Sequence, residues 1–301
     1  MIDLAGLARL AAEHPDDLAT LERPLAPLCL GGRDIDTDAE PVVMGVVNLS
    51  RDSSYRESVC VSVDSAVRRG RVLAAQGAHV VDVGAESSNA TSARVAAQEQ
   101  ARSLEPVVRE LAATGVVCSV EGYDVEVVRA GLDAGASVVN LTGAGDDAAI
   151  FDLAAERGAT VVLCHVHGRH ARDLDGDGRR SPDADPVPAM VEAFARRLDD
   201  ARSRGVSSLA IDPGLGLGFA LDDQLARARH QTAVLLQTFR LRTLGVPVCH
   251  SLPHSFELFE DQFRGAEAFF TVLARLGGTG VYRTHEVPQI VAVLGALAAL
   301  D

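Results

Sequence analysis

Leu209-Ala-Ile-Asp-Pro-Gly-Leu-Gly-Leu-Gly-Phe219 is the stretch on which the reading of this chain turns. Three apolar residues followed by a carboxylate read as a buried strand whose last residue, Asp212, emerges from a core. Pro213 has no N–H and ends the sheet pairing. Gly214, Gly216 and Gly218 permit positive φ and let backbone come close to a ligand. A carboxylate at a strand end, beside a floor without side chains, suits a flat ligand rich in hydrogen-bond donors.

Working outward, seven further short β-branched runs precede or follow this one. The expected strands are 42–47, 80–83, 116–120, 137–140, 160–165, 208–211, 246–250 and 280–283. Between them lie helix-period segments at 63–75, 93–113, 125–134, 148–157, 187–204, 221–243, 265–276 and 288–300. The second of these is expected to kink or restart at Pro106. Strands alternating with helices argue for βα units and a parallel sheet. Eight such units predict a (β/α)8 TIM barrel, an α/β single domain. No G-x-G-x-x-G follows the first strand, which counts against an open doubly wound sheet. Residues 1–27, with Leu4, Leu7, Leu10 and Ala11 at helical spacing, are expected to form a short N-terminal helical extension, and 28–301 the barrel.

Composition narrows the function. The chain has 301 residues, 47% of them hydrophobic, and a formal charge of -14. Acidity of that size disfavours nucleic acid as a partner. All 28 basic residues are arginine, which removes lysine Schiff-base chemistry. Five scattered cysteines with no C-x-x-C pair suggest reduced thiols in a cytoplasm. No basic region precedes an apolar run near Met1, so no signal peptide is expected. No apolar run reaches the roughly 18–20 residues of a membrane span, so no membrane partner is expected either.

Barrel chemistry sits at the C-terminal ends of the strands. Those ends carry Asn48, then Asp82 and Glu86 to Asn89, Glu121, Asn140, His165 and His167, Asp212, His250 with His254 beyond it, and Arg283 to Glu286. Any one of them could be a cap. Eight in one register are hard to explain as caps.

Five segments then carry a resemblance: Val43-Met-Gly-Val-Val-Asn-Leu-Ser50, Gly77 to Ser88, Ala134 to Asn140, Ile211-Asp-Pro-Gly-Leu-Gly216 and Arg283-Thr-His-Glu-Val287. In order, they resemble the signature segments of the dihydropteroate synthase family. The resemblance implies a pterin-binding (β/α)8 barrel, usually a homodimer. The implied reaction joins a dihydropterin diphosphate to an amine, p-aminobenzoate, with release of pyrophosphate. It implies that Glu121, Asn140, Asp212 and His254 bind pterin and that Asn48, Ser88, Asn89, Arg283 and His285 bind diphosphate. Asp212, Arg283 and His285 would be catalytic, and Asn48 would lie near a magnesium ion, Mg2+.

The family pattern is rewritten at the loops. Ser88-Asn89-Ala90 stands where a phosphate-facing arginine is usual. His254 stands nearest to a missing lysine, Glu121 replaces an aspartate, and Phe219 replaces a lysine. These changes suggest a different second substrate. The alternatives are a methyltetrahydrofolate-type pterin methyltransferase and a pterin-binding protein without synthase activity. The histidines at 165, 167, 170, 250, 254 and 285 offer a further possibility, a transition-metal site. The acidic segment from Asp173 to Gly178 reads as a solvated loop, since Ala184 stands where a calcium loop needs glutamate.

Overall fold

The computed structural model describes residues 2–50, 52, 55, 58–87, 92–166, 168–170, 173–174, 185–215 and 224–300. Among them eight parallel strands form one sheet: β1 (Val42–Asn48), β2 (Val80–Gly84), β3 (Cys118–Gly122), β4 (Val138–Leu141), β5 (Thr160–Cys164), β6 (Leu209–Asp212), β7 (Cys249–Ser251) and β8 (Val281–Thr284). They run in the order β6-β5-β4-β3-β2-β1-β8-β7. Ile211 bridges Val248, and its N–H donates to the Pro247 carbonyl at 3.0 Å, which closes β6 onto β7 and makes a barrel.

Eight helices follow the strands: α1 (Val63–Ala75), α2 (Ala97–Ala112), α3 (Val125–Asp133), α4 (Asp147–Arg157), α5 (Val187–Ser203), α6 (Gln224–Leu236), α7 (Arg264–Leu276) and α8 (Val287–Ala298). The expected elements are thus present with shifted ends. Two expectations are corrected. Helix α2 runs unbroken through Pro106. The carbonyl that loses its partner belongs to Arg102, an exposed residue, where water can satisfy it. The long segment 221–243 divides into α6 and a 3-10 turn at Thr238–Leu244 that ends on the left-handed Gly245.

Strand periodicity sorts the core. Val42, Met44, Val80, Val138, Val162, Ala210, Cys249 and Val281 form an inner cluster, plugged from below by Leu28, Leu30 and Ile35. Those three come from a hairpin (Leu28–Leu30 with Arg33–Ile35). Their neighbours in the strands, such as Val81, Val83, Val139, Val161, Leu163 and Ile211, belong to the larger cluster under the helices. Successive strand residues face opposite sides. With both faces buried, the strands read as near-continuous apolar runs. The N-terminal helix Leu4–Glu13 buries none of its residues. The following turn is the attachment: Thr20 is buried and donates to the Phe239 carbonyl at 3.0 Å, and Arg240 reaches Asp17.

Candidate functional site

Two residues above each inner apolar side chain, the same alternation points the next side chains inward. Val80 is followed by Asp82, Val138 by Asn140, Val162 by Cys164, Ala210 by Asp212, Cys249 by Ser251 and Val281 by Arg283. Glu121 joins this layer from β3. The apolar floor thus carries a polar layer at the C-terminal ends of the strands.

Arg283 is the hub. Its Nε donates to Asp82 Oδ2 at 2.7 Å and its Nη2 to Glu121 Oε2 at 2.7 Å. Its Nη1 lies 3.5 Å from Ser251 Oγ. Asn140 Nδ2 donates to the same Asp82 oxygen at 3.0 Å, and the Cys164 thiol donates to Asn140 Oδ1. Asp82 Oδ1 is buried with no partner among the described residues. Asp212 Oδ1 accepts from the Gly214 N–H at 2.7 Å. Gly214 has φ +75, and a Cβ there would meet the His165 carbonyl oxygen at 2.2 Å, so this turn requires glycine. Gly84 has a similar reason: a Cβ would fall 2.6 Å from Glu121 Oε2.

The charges do not balance. Three carboxylates (Asp82, Glu121, Asp212) share one guanidinium. Burial pushes Asp212 up to about 6, against the pull of the Gly214 N–H and Arg283. Burial pushes Glu121 up to about 7, with Arg283 opposing and Asp82 and Asp212 adding to the rise. Burial also disfavours the charge on Arg283, but Glu121 and Asp82 outweigh it and hold the guanidinium protonated. A ligand that supplies N–H donors relieves this excess of negative charge.

A second cluster lies where the loop after β7, the first turn of α7 and the end of β8 meet. Glu267 is 1% exposed. Its Oε2 accepts from Thr284 Oγ1 and from the backbone of His285 at 3.1 Å and Glu286 at 3.4 Å. Its Oε1 lies 3.1 Å from His285 Nδ1 and 3.2 Å from His254 Nδ1. Burial alone would raise this carboxyl, yet His254 and His285 hold it far below the usual carboxylate range. Burial lowers His285 to about 4 despite Glu267. Tyr55 stacks on His285 at 4.4 Å and 19° and bonds Glu286, which also pairs with Arg264.

Of the residues singled out in the sequence, Glu121, Asn140, Asp212 and Arg283 meet in the inner layer. His254 and His285 meet in the second cluster. Asn48 stands at the end of β1, where its Nδ2 donates to Ser58 Oγ at 2.5 Å. Ser88, Asn89, His167 and Gly216 to Phe219 lie outside the described residues. His250 is fully buried on the outer face of β7, bonded to Thr238 Oγ1 at 2.8 Å, and does not join the layer. The sequence reading placed Asp82 at a strand end without giving it a role, and it passed over Glu267. Asp82 was findable, since a lone carboxylate inside Val80-Val-Asp-Val83 must face a barrel interior. Glu267 comes from an outer helix and carried no such signal.

The sequence profile of the pterin-binding enzyme family matches residues 44–285. The chain is 32% identical over 273 residues to the dihydropteroate synthase of Mycobacterium leprae, covering 85% of this chain and 92% of that one. It is 31% identical over 270 residues to a probable bifunctional folylpolyglutamate synthase/dihydropteroate synthase of Haloferax volcanii. That match covers 86% of this chain, which spans only about 30% of the bifunctional protein's length. The structure superposes on Xanthomonas albilineans dihydropteroate synthase with 4-aminobenzoic acid at a TM-score of 0.75 and 30% identity, covering 92% of this chain and 98% of the other.

Proposed function

The chain belongs to the family of pterin-binding enzymes that includes the dihydropteroate synthases, and from that premise we propose that its barrel mouth binds a dihydropterin diphosphate and transfers the pterin to an amine such as p-aminobenzoate. The observation that carries this is the inner layer itself, two buried carboxylates and a third, Glu121, partly buried, around one arginine. A pterin ring offers an amidine-like edge of N–H donors beside ring acceptors. Asp212 would take two of those N–H groups, and Asn140, both donor and acceptor, would read the adjoining edge. Glu121 would close that side, and the orphaned Asp82 Oδ1 is a further acceptor within the layer.

Arg283, held by its Nε and Nη2, keeps its Nη1 edge for an anionic group. His285, at the rim beside it, would face the diphosphate, and His254 would stand between ring and rim. Asn48, Ser88 and Asn89 would contribute from the first two loops. Charge stabilised on the departing diphosphate weakens the C–O bond and leaves an electrophilic pterin carbon for the amine. Magnesium usually keeps waters and substrate phosphates and takes few protein ligands. Asn48 fits such an ion by its chemistry, since it brings a neutral amide oxygen to the end of β1 and Ser58 orients that amide through Nδ2. Bound there, magnesium would neutralise diphosphate charge.

The rewritten loops support a second substrate that differs from p-aminobenzoate. The relatives named above are synthases, which favours amine transfer over methyl transfer. Exposed Phe269, Val272 and Leu276 along α7, with Val291 on α8, support a homodimer through that face. Five free cysteines, four of them buried, support a reducing cytoplasm. The test is calorimetry with 6-hydroxymethyl-7,8-dihydropterin diphosphate and, separately, 5-methyltetrahydrofolate. Binding of the diphosphate alone, then pyrophosphate release that depends on added amine, is the expected result. Binding of neither ligand defeats the proposal.

A further inference from the structure

We infer that His254, Glu267 and His285 form a binding site for a zinc-class divalent cation, separate from the carboxylate layer. The ligand atoms these three residues offer lie within 4.8 Å of one another. Two imidazoles and one carboxylate are a donor set suited to zinc and its first-row neighbours.

The distances fit. Zinc bonds nitrogen and carboxylate oxygen at about 2.0–2.1 Å, which makes the edge of a tetrahedron about 3.3 Å. Glu267 Oε1 stands 3.2 Å from His254 Nδ1 and 3.1 Å from His285 Nδ1. Both spacings are those of ligands sharing one ion.

A second observation is independent of the spacing. His254 Nδ1 is buried and makes no aligned hydrogen bond, although a carboxylate oxygen lies 3.2 Å away. A ring nitrogen so close to a carboxylate, yet poorly aligned for a hydrogen bond with it, has a lone pair to offer an ion beside that oxygen. The rest of the carboxyl is fixed as a ligand's outer partners fix it. Oε2 is held by Thr284 Oγ1 and by the N–H groups of His285 and Glu286, while Oε1, which the His285 N–H also reaches at 3.3 Å, is the oxygen that faces both imidazoles. Tyr55 walls the other side, 4.4 Å from the His285 ring and 4.9 Å from that of His254. Two neutral imidazoles and one carboxylate leave a divalent ion with one net positive charge and a fourth position open to water or an anion.

The site shares His254 and His285 with the rim assigned above to the diphosphate, but it rests on its own geometry, and its test uses the metal alone. The full chain is stripped with a chelator, then titrated with Zn2+ by calorimetry and with Co2+ by visible absorption. One ion per chain, a tetrahedral Co2+ spectrum and displacement of Co2+ by Zn2+ are expected. His254→Ala, at a partly exposed position, should bind Zn2+ roughly 100-fold or more weakly, beyond the 10–100-fold cost of losing an outer partner. Glu267→Gln should do the same, but it also weakens the acceptor for Thr284, so its fold is checked by circular dichroism. Failure of the wild-type chain to bind either ion overturns the inference. So does Zn2+ binding that His254→Ala leaves unchanged.

Discussion

Asp82→Asn separates charge from shape in the inner layer. Oδ2 of Asp82 accepts from Arg283 Nε at 2.7 Å and from Asn140 Nδ2 at 3.0 Å. An amide oxygen in that place keeps both bonds, but the bond to Arg283 is no longer a pair of opposite charges. Its worth falls from about 1.5–3 kcal/mol to about 1 kcal/mol. The amide nitrogen then occupies the position of Oδ1, which is buried with no partner, and an unsatisfied donor there costs about 1–3 kcal/mol. The sum is about 3 kcal/mol. Unfolding entropy of about 2.1 cal/mol/K per residue converts this, for a chain of this length, into a melting temperature lower by about 5 °C. Glu121 still holds the other end of the guanidinium, which keeps the loss below that of a fully broken buried pair. If Oδ1 receives a pterin N–H, the variant meets donor with donor. The lost charge-assisted bond, about 2 kcal/mol, weakens dihydropterin diphosphate roughly 30-fold. Differential scanning calorimetry and titration calorimetry read the two effects separately. An unshifted melting temperature together with an unchanged Kd would refute the account of Asp82 as part of the site.

Gly214→Ala should destabilise by roughly 3 kcal/mol or more, because φ is +75 and the new methyl would meet the His165 oxygen at 2.2 Å; urea unfolding measures it, and a wild-type midpoint would contradict the turn geometry. Pterin affinity should rise with pH through about 6, where Asp212 ionises, and fall about tenfold per unit below it; a flat profile from pH 5 to 8 counts against the carboxylate as the receptor. Stability of the free protein runs the other way. A folded pKa raised above the unfolded 3.8 favours the fold at low pH, and that contribution, about 3 kcal/mol for Asp212, is lost as pH rises to about 6. If α7 forms the proposed dimer face, Phe269→Glu in its exposed apolar stripe should give a monomer in light scattering where the wild-type chain gives a dimer, with a cooperative melting profile; a wild-type chain that is monomeric defeats the dimer proposal.

The barrel was legible because its strands are buried on both faces. Runs such as Val42-Val-Met-Gly-Val-Val-Asn48 have no polar side to confuse them with loops, and the helices between them keep a clear period. The ends were less legible. Val246–Val248 reads as strand but only touches its neighbour through single bridges, and the strand proper begins at Cys249. Pro106 does not make the helix restart, because a missing N–H matters little on a helix side that faces water.

The site was legible to the depth that strand alternation reaches. Once Val281 is known to face inward, Arg283 must face inward too, at the height of Asp82 and Glu121. That register gives Arg283 a meaning which its resemblance to a phosphate anchor does not. Its guanidinium is first a counter-ion for two carboxylates, with one edge left over. The same logic fails one shell out. Thr284 faces away from the barrel, and the buried glutamate it bonds comes from a helix 17 residues earlier. Nothing in the sequence pairs Glu267 with His254 and His285, because a carboxylate in the first turn of an amphipathic helix reads as a solvated or dipole-stabilising residue. Its burial is a tertiary fact. The imbalance of charge in the inner layer therefore speaks to the ring that binds, and it could be anticipated from strand register. What sits at the rim depends on packing between β8 and α7, which strand register could not supply.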